Sequence, residues 1–236
     1  MSPSFIYREV TEKEELKRVF QLRYQVYAQS ENKAFIRANE QGLDMDSFDA
    51  HSKHFVSLNE QTQEIVGYLR VVYSYKKYTN WVSKALLQEC GFRYELPSGA
   101  EFPFLSYQGV PAEHFECKDR LERQGELLCE VSRLVVHPLY QQAGIAKMIM
   151  SSSLSSVSMR EDTTYLFINC SPSYEKFYKQ LGAENIDGDK RYVANGVEKV
   201  TLGLKLDSYA LSNYFREQPK PLEKQLYKTH QIVEVI

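Results

Sequence analysis

The chain has 236 residues, long for one compact domain and too short to require two, with 43% hydrophobic and 25% charged residues. That composition excludes a disordered, collagenous or coiled-coil chain. Its 29 basic and 31 acidic residues leave no basic field of the kind that holds nucleic acid, and its 17 Tyr and 12 Phe read as packing residues rather than base-stacking platforms.

The N-terminal MSPSFIYREV lacks a positively charged start followed by an apolar run, and no stretch of 18 apolar residues occurs. The expectation is a cytoplasmic protein without stable membrane insertion. Thr11-Glu12-Lys13-Glu14 has the form of a capping box opening a helix, with Leu16, Val19, Phe20 and Tyr27 on one face. Arg23 falls on that same face. Either its stem packs while the guanidinium reaches the edge, or it faces a pocket and meets a carboxylate or an anion. A polar stretch, Gln29 to Lys53, carries Asp44-x-Asp46-x-x-Asp49, which on its own reads as a solvated loop.

His54–Leu58 and Ile65–Tyr73 read as an antiparallel hairpin turning at Asn59–Glu64. Residues 76–126 give a helix over Tyr78–Cys90 and an irregular stretch from Pro97 to Gly125, either an insertion or a pocket wall. Leu127–Val136 is a strongly β-prone run closed by His137-Pro138. Gln141-Gln142-Ala143-Gly144 then leads into a helix through Ile145, Met148, Ile149 and Leu154. Thr163–Asn169 is a buried strand, Tyr174–Leu181 a helix ended by Gly182, and Val200–Leu206 a last strand. Residues 1–206 thus form one mixed α/β (α+β) domain, and 207–236 a C-terminal tail. Cys90, Cys117, Cys129 and Cys170 are scattered, with no CxxC pair and no His at ligand spacing. They suggest neither a metal site nor a disulfide framework, and Cys129 and Cys170 act as small buried hydrophobes.

The strand–loop–helix at 127–154 bears the chemistry. A loop entering a helix presents free backbone N–H groups and the positive dipole end at one point, and Gly144 with Ala146 lets a phosphate approach the backbone. Alone, QxxGxA is shared by many helix starts.

In context, Val136-His137-Pro138-x-Tyr140-Gln141-x-x-Gly144-x-Ala146 resembles the acyl-CoA loop of the GNAT superfamily. SYEKFYKQLGAENI, Ser173 to Ile186, resembles that superfamily's second signature. The resemblance implies a mixed, mostly antiparallel central sheet flanked by helices. It also implies that acyl-CoA, or the acyl-phosphopantetheine of an acyl carrier protein, binds along Leu134, Val135, Val136, Gln141, Gln142, Ala143, Gly144, Ile145, Ala146 and Tyr178. In the first half, LRYQVY, GLDMDSFDAHSKHFV, GYLRVV and the later EVSRLVV resemble acyl-homoserine-lactone autoinducer synthases. They are more similar still to long-chain N-acyl amino acid synthases and exosortase-associated acyltransferases. Carried over residue by residue, the catalytic set is Arg23, Asp46, Asp49, Arg70, Glu130 and Arg133. The tryptophan typical of autoinducer synthases after the first helix is absent, the only Trp being Trp81, and His51 with His54 suits the amino acid synthases better.

The implied activity is transfer of an acyl group from a thioester to the amine of an amino acid or similar small acceptor. Two alternatives are an autoinducer synthase acting on S-adenosylmethionine and a GNAT-shaped binding module without turnover. Asp46, Asp49 and Glu130 would hold the amine and take its proton, while Arg23 and Arg70 would orient those carboxylates or bind the acceptor's own. His51 and His54 are expected as packing histidines, with a base or acceptor-binding role left open for His54. Glu130 and Arg133, three apart on a strand, point to opposite faces unless the strand bulges. GNAT proteins have a bulge on this strand, so the resemblance implies one near Glu130–Leu134, with an N–H from Leu134–Val136 as oxyanion donor.

Overall fold

The computed structural model describes residues 4–36, 40–92, 100–158, 163–188 and 190–206. The tail expected from Asp207 lies outside the described residues, as do Pro97, Ser98 and Gly99 of the stretch read as irregular.

Among the described residues, eight strands form one sheet: β1 (Phe5–Glu9), β2 (Ser52–Asn59), β3 (Ile65–Tyr73), β4 (Leu128–Val136), β5 (Tyr165–Cys170), β6 (Glu184–Asn185), β7 (Tyr192–Ala194) and β8 (Val197–Lys205). Their order is β1-β2-β3-β4-β5-β8-β6, with β7 also on β8. The β4–β5 pair is parallel and every other pair antiparallel. The expected mixed, mostly antiparallel sheet is thus observed, extended by β1, β6 and β7, which are too short or too polar to signal themselves by periodicity.

Among the described residues, five α-helices cover the two faces: α1 (Lys13–Ala28), α2 (Trp81–Glu89), α3 (Ala112–Arg123), α4 (Ile145–Ser158) and α5 (Pro172–Lys179). The pleat of β3 sorts them. Leu69 and Val71 pack with Ile149, Met150 and Leu154 of α4 and with Tyr178 of α5. Tyr68, on the opposite face, packs with Leu16, Val19 and Phe20 of α1 and Leu86 of α2, and Val72 with Cys117 and Leu121 of α3. A strand buried on both faces needs near-continuous apolar residues, and all nine of β3 are buried. Arg70 is the exception in kind: it points to the α1 face, where Arg23 also lies buried.

Three expectations need correction. The capping box at Thr11–Glu14 does not form: Glu12 is the N-cap of α1 and makes no side-chain cap. Val10 N–H still donates to His54 O at 2.7 Å, so the chain stays tied to the sheet one residue longer. The stretch from Pro97 to Gly125 is not wholly irregular, because α3 runs through it. Its sequence, AEHFECKDRLER, hides the period because one of its three buried positions is His114, alongside Cys117 and Leu121. Tyr27 is only half-buried and lines a cavity rather than the α1 core. No helix among the described residues is long and apolar enough to cross a membrane.

Gly67 fixes how closely α4 approaches the sheet. A Cβ there would stand 2.6 Å from Ile145 Cγ2. Ile145 is fully buried, so its side chain cannot swing away. Gly67→Ala is expected to cost about 1–3 kcal/mol in chemical denaturation, as over-packing does. An unchanged midpoint would mean that the start of α4 yields freely.

Candidate active site

β4 pairs with β3 as Arg70↔Ser132 and then Tyr68↔Val135, so Arg133 and Leu134 together face Leu69. This is a β-bulge, and Arg133 takes the left-handed φ of 55° that it requires. The expected bulge is present within the predicted range. On its other side β4 pairs with β5 only over Leu128–Val131, although both strands continue. The two strands therefore part beyond Val131. His137 N–H donates to Val66 O at 2.9 Å, towards β3. Because N–H groups alternate along a strand, that of Val136 faces the gap on the β5 side.

A cavity of about 620 Å³ occupies this gap. At one end lie Pro138, Gln141 and Ala146, at the N-terminus of α4, where Gly144 adopts a φ of 73°. Glu130, Tyr107, Phe35, Asn169 and Lys199 belong to its lining too. Leu134, Val135, Val136 and Tyr178, expected along the donor, also line it, whereas Gln142, Ala143, Gly144 and Ile145 do not. Ile145 is fully buried against Gly67, so only its backbone is available there. Gly144 has open space around the Cβ position. Gly144→Ala therefore carries only the left-handed backbone penalty, about 1 kcal/mol in a denaturation measurement.

The acidic string folds around the arginines. Asp46 caps the short turn Ser47–His51, accepting from Phe48 N–H at 3.0 Å while Asp49 Oδ2 accepts from Asp46 N–H at 2.8 Å. Arg23 donates to Asp44 at 3.0 Å and to Asp49 at 2.7 Å, and its guanidinium lies over the rings of Phe20 and Tyr68. Arg70 donates to Asp46 at 2.6 Å, to Asp49 at 2.8 Å and to Ser132 at 3.0 Å. Arg133 pairs with Asp44 at 3.1 Å and Asp46 at 3.3 Å, and donates to Phe35 O at 2.9 Å. Three guanidiniums and three carboxylates thus neutralise one another, with almost no side-chain exposure. Burial acts to raise the carboxyl of Asp46, but Arg70, Arg133 and Arg23 outweigh it and hold Asp46 well below the usual carboxylate range. Asp44 is likewise lowered, burial being overcome by Arg133 and Arg23.

Arg23, Asp46, Asp49 and Arg70 are therefore brought together, but behind the cavity wall. Asp44 belongs with them and was not in the carried-over set. Its place in the acidic string was the available signal. His54 is enclosed too, between Tyr68 OH at 2.7 Å and Ser83 Oγ at 2.9 Å, and burial pushes it down to about 4. It does not line the cavity. Glu130 and Arg133 do.

Glu130 stands apart from the ion cluster. Its Oε2 accepts from Phe104 N–H at 3.0 Å, and its Oε1 has no hydrogen-bond partner among the described residues. Burial pushes its carboxyl up to about 8, with the Phe104 N–H and the Arg70 and Arg133 charges pulling only weakly the other way. Phe35, Tyr107, Asn169 and Lys199 were not singled out in the sequence, because nothing local marks a residue whose role depends on facing a gap formed elsewhere.

A family model for the acetyltransferase (GNAT) domain matches residues 22–151, more than half of the chain. The chain belongs to the GNAT family. A model for the N-acyl amino acid synthase FeeM matches residues 104–205. Among solved structures, FeeM from uncultured soil microbes is similar over 88% of this chain and 94% of its own, at 15% identity and a TM-score of 0.56. The CoA-dependent acyl-homoserine lactone synthase BjaI is similar over 95% and 90%, at 11% and 0.59. The AHL synthase LasI is similar over 90% and 96%, at 15% and 0.57. At such identities the likeness is one of fold. No curated protein matches by sequence. This GNAT protein is an acyltransferase enzyme.

Proposed function

We propose that the protein transfers a fatty acyl group from a thioester donor, acyl-CoA or the phosphopantetheine of a carrier protein, to the amine of an amino acid or a similar small acceptor. The observation that carries this reading is Glu130: a carboxyl pushed up to about 8, with one oxygen unengaged, on the wall of a cavity that runs to the N-terminus of α4.

The donor's phosphate end would lie at Gln141–Ala146, where α4 offers free N–H groups and Gly144 leaves room for close approach. The thioester would then thread between β4 and β5, its carbonyl oxygen at the Val136 N–H. Glu130 takes a proton from the acceptor ammonium. The neutral nitrogen attacks the carbonyl carbon, and the C–S bond breaks as the tetrahedral adduct collapses. The departing thiolate takes up the proton that the new amide nitrogen sheds, and Glu130 passes its own to solvent. A base whose pKa lies near working pH suits this exchange. In this reading the arginine–aspartate cluster does not touch substrate; it holds Arg133 and the bulge in place. Intact Gln141, Gly144 and Ala146 favour acyl-CoA as a donor, as does the likeness to BjaI, itself CoA-dependent.

The purified protein is to be given acyl-CoA and acyl-carrier protein of several chain lengths with a panel of amines, recording free thiol. Amine-dependent release is expected. None with any donor would sink the proposal. Mass spectrometry of the product separates an open acyl amide from the acyl lactone that an autoinducer synthase would release.

A further inference from the structure

Residues 73–88 contain three lysines, three tyrosines and the chain's single tryptophan, and no acidic residue, in a sequence whose acids outnumber its lysines and arginines 31 to 29. The fold turns much of this composition outwards. Trp81, at the start of α2, is 71% exposed and Tyr75 43%. Lys76 and Lys77 are exposed beside Tyr75, with Lys76 Nζ 5.6 Å from the centre of its ring. Lys84, one turn along α2, sets its ammonium 5.0 Å from the centre of the Trp81 ring. His51 joins the two aromatics into one surface. Its ring is 6.1 Å from that of Tyr75, its Nδ1 lies 2.7 Å from the Tyr78 carbonyl, and the Lys84 charge adds to burial in lowering its pKa. Glu101, the acid that pairs with Lys76, is 6% exposed and is shared with Lys118. None of these residues lines the β4–β5 cavity.

A single exposed aromatic is ordinary, but two flanked by lysines have the composition of a membrane interface. There the rings settle at the level of the headgroups while ammonium groups meet lipid phosphates and carboxylates. Nucleic acid would require a broader basic field than this chain carries. We propose that the surface formed by Tyr75, Lys76, Lys77, Trp81 and Lys84 docks the protein reversibly on an anionic lipid membrane, with Trp81 and Tyr75 entering the headgroup layer. The contact is peripheral and needs no membrane-spanning helix. The inference is independent of the acyl-transfer reading.

Because Trp81 is the chain's single tryptophan, its emission reports this surface alone. The full-length protein is to be mixed with vesicles of phosphatidylcholine, alone or with an equal share of phosphatidylserine, recording Trp81 emission and co-sedimentation. With the anionic vesicles the protein is expected to sediment and its emission to shift to the blue, with quenching by lipids brominated on their acyl chains. Added salt should reverse the binding, and neutral vesicles should give little of either signal. Lys76→Ala and Lys77→Ala are each expected to weaken partitioning about five-fold. Trp81→Ala, read by sedimentation, should weaken it at least as much. The Lys77 side chain makes no ion pair among the described residues, so its variant keeps the test sound if Lys76→Ala disturbs Glu101. No partitioning to anionic vesicles would overturn the inference. So would sedimentation with the Trp81 emission unmoved, which would mean that another face binds. Equal binding to soluble polyglutamate without a blue shift would assign the surface to an acidic protein and overturn it too.

Discussion

Replacing Glu130 with glutamine is expected to lower kcat/KM for amine acylation by about 10²- to 10⁴-fold, the usual contribution of a positioned base. The amide keeps the volume and can still accept the Phe104 N–H, so the fold should be retained. In the wild-type protein, kcat/KM is expected to rise with pH and level off near 8, where Glu130 ionises. The glutamine variant should lack that limb. Stability provides an independent reading of the same group. A carboxyl raised on folding from 4.5 to about 8 contributes stability that is full below 4.5 and is lost as pH rises through 8. The wild-type protein should therefore lose stability across that window, by at most about 1.4 kcal/mol per pH unit, and Glu130→Gln should not. Full activity in the glutamine variant would remove Glu130 from the chemistry.

Arg70→Met is expected to have the largest effect on the fold. Arg70 is fully buried and its Nη1 serves both Asp46 and Asp49, so its removal leaves carboxylates in the interior with part of their compensation gone. Breaking a buried ionic network in this way costs about 3–5 kcal/mol, a large share of the roughly 5–15 kcal/mol that holds a domain folded. The pH dependence has the opposite sign to that of Glu130. Asp44 and Asp46 are lowered in the folded protein, so their contribution is present above the ordinary carboxylate range and is lost on acidification through their folded values. Urea titrations of wild-type and variant at several pH values measure both effects, and a loss below about 1 kcal/mol at neutral pH would show that the cluster is not stabilising as drawn.

Much of this was legible in the sequence. The strand at 127–136, the following loop and helix, and the hairpin at 54–73 announce themselves because long apolar runs have one dominant way to bury themselves. The bulge was readable too, through the resemblance to the GNAT strand, which resolves how Glu130 and Arg133 can both face the site. What a linear pattern does not convey is depth. Asp44, Asp46 and Asp49 have the composition of a wet loop, yet they are buried because Arg23 and Arg70 arrive from α1 and β3 to neutralise them. The same resemblance that marked Asp46, Asp49 and Glu130 as one set could not separate carboxylates already paired from the one with an open oxygen. That distinction depends on Phe104 and on where the β4–β5 ladder ends, neither of which has a periodic signature.

The most direct measurement is of products rather than of structure. With an acyl-CoA and an amino acid supplied together, free thiol and acyl amide are quantified in the same reaction, for the wild-type protein and for Glu130→Gln. The account predicts one acyl amide for each thiol released, with both falling together in the variant. Thiol released without an amide, or no thiol released with any amino acid, would contradict it.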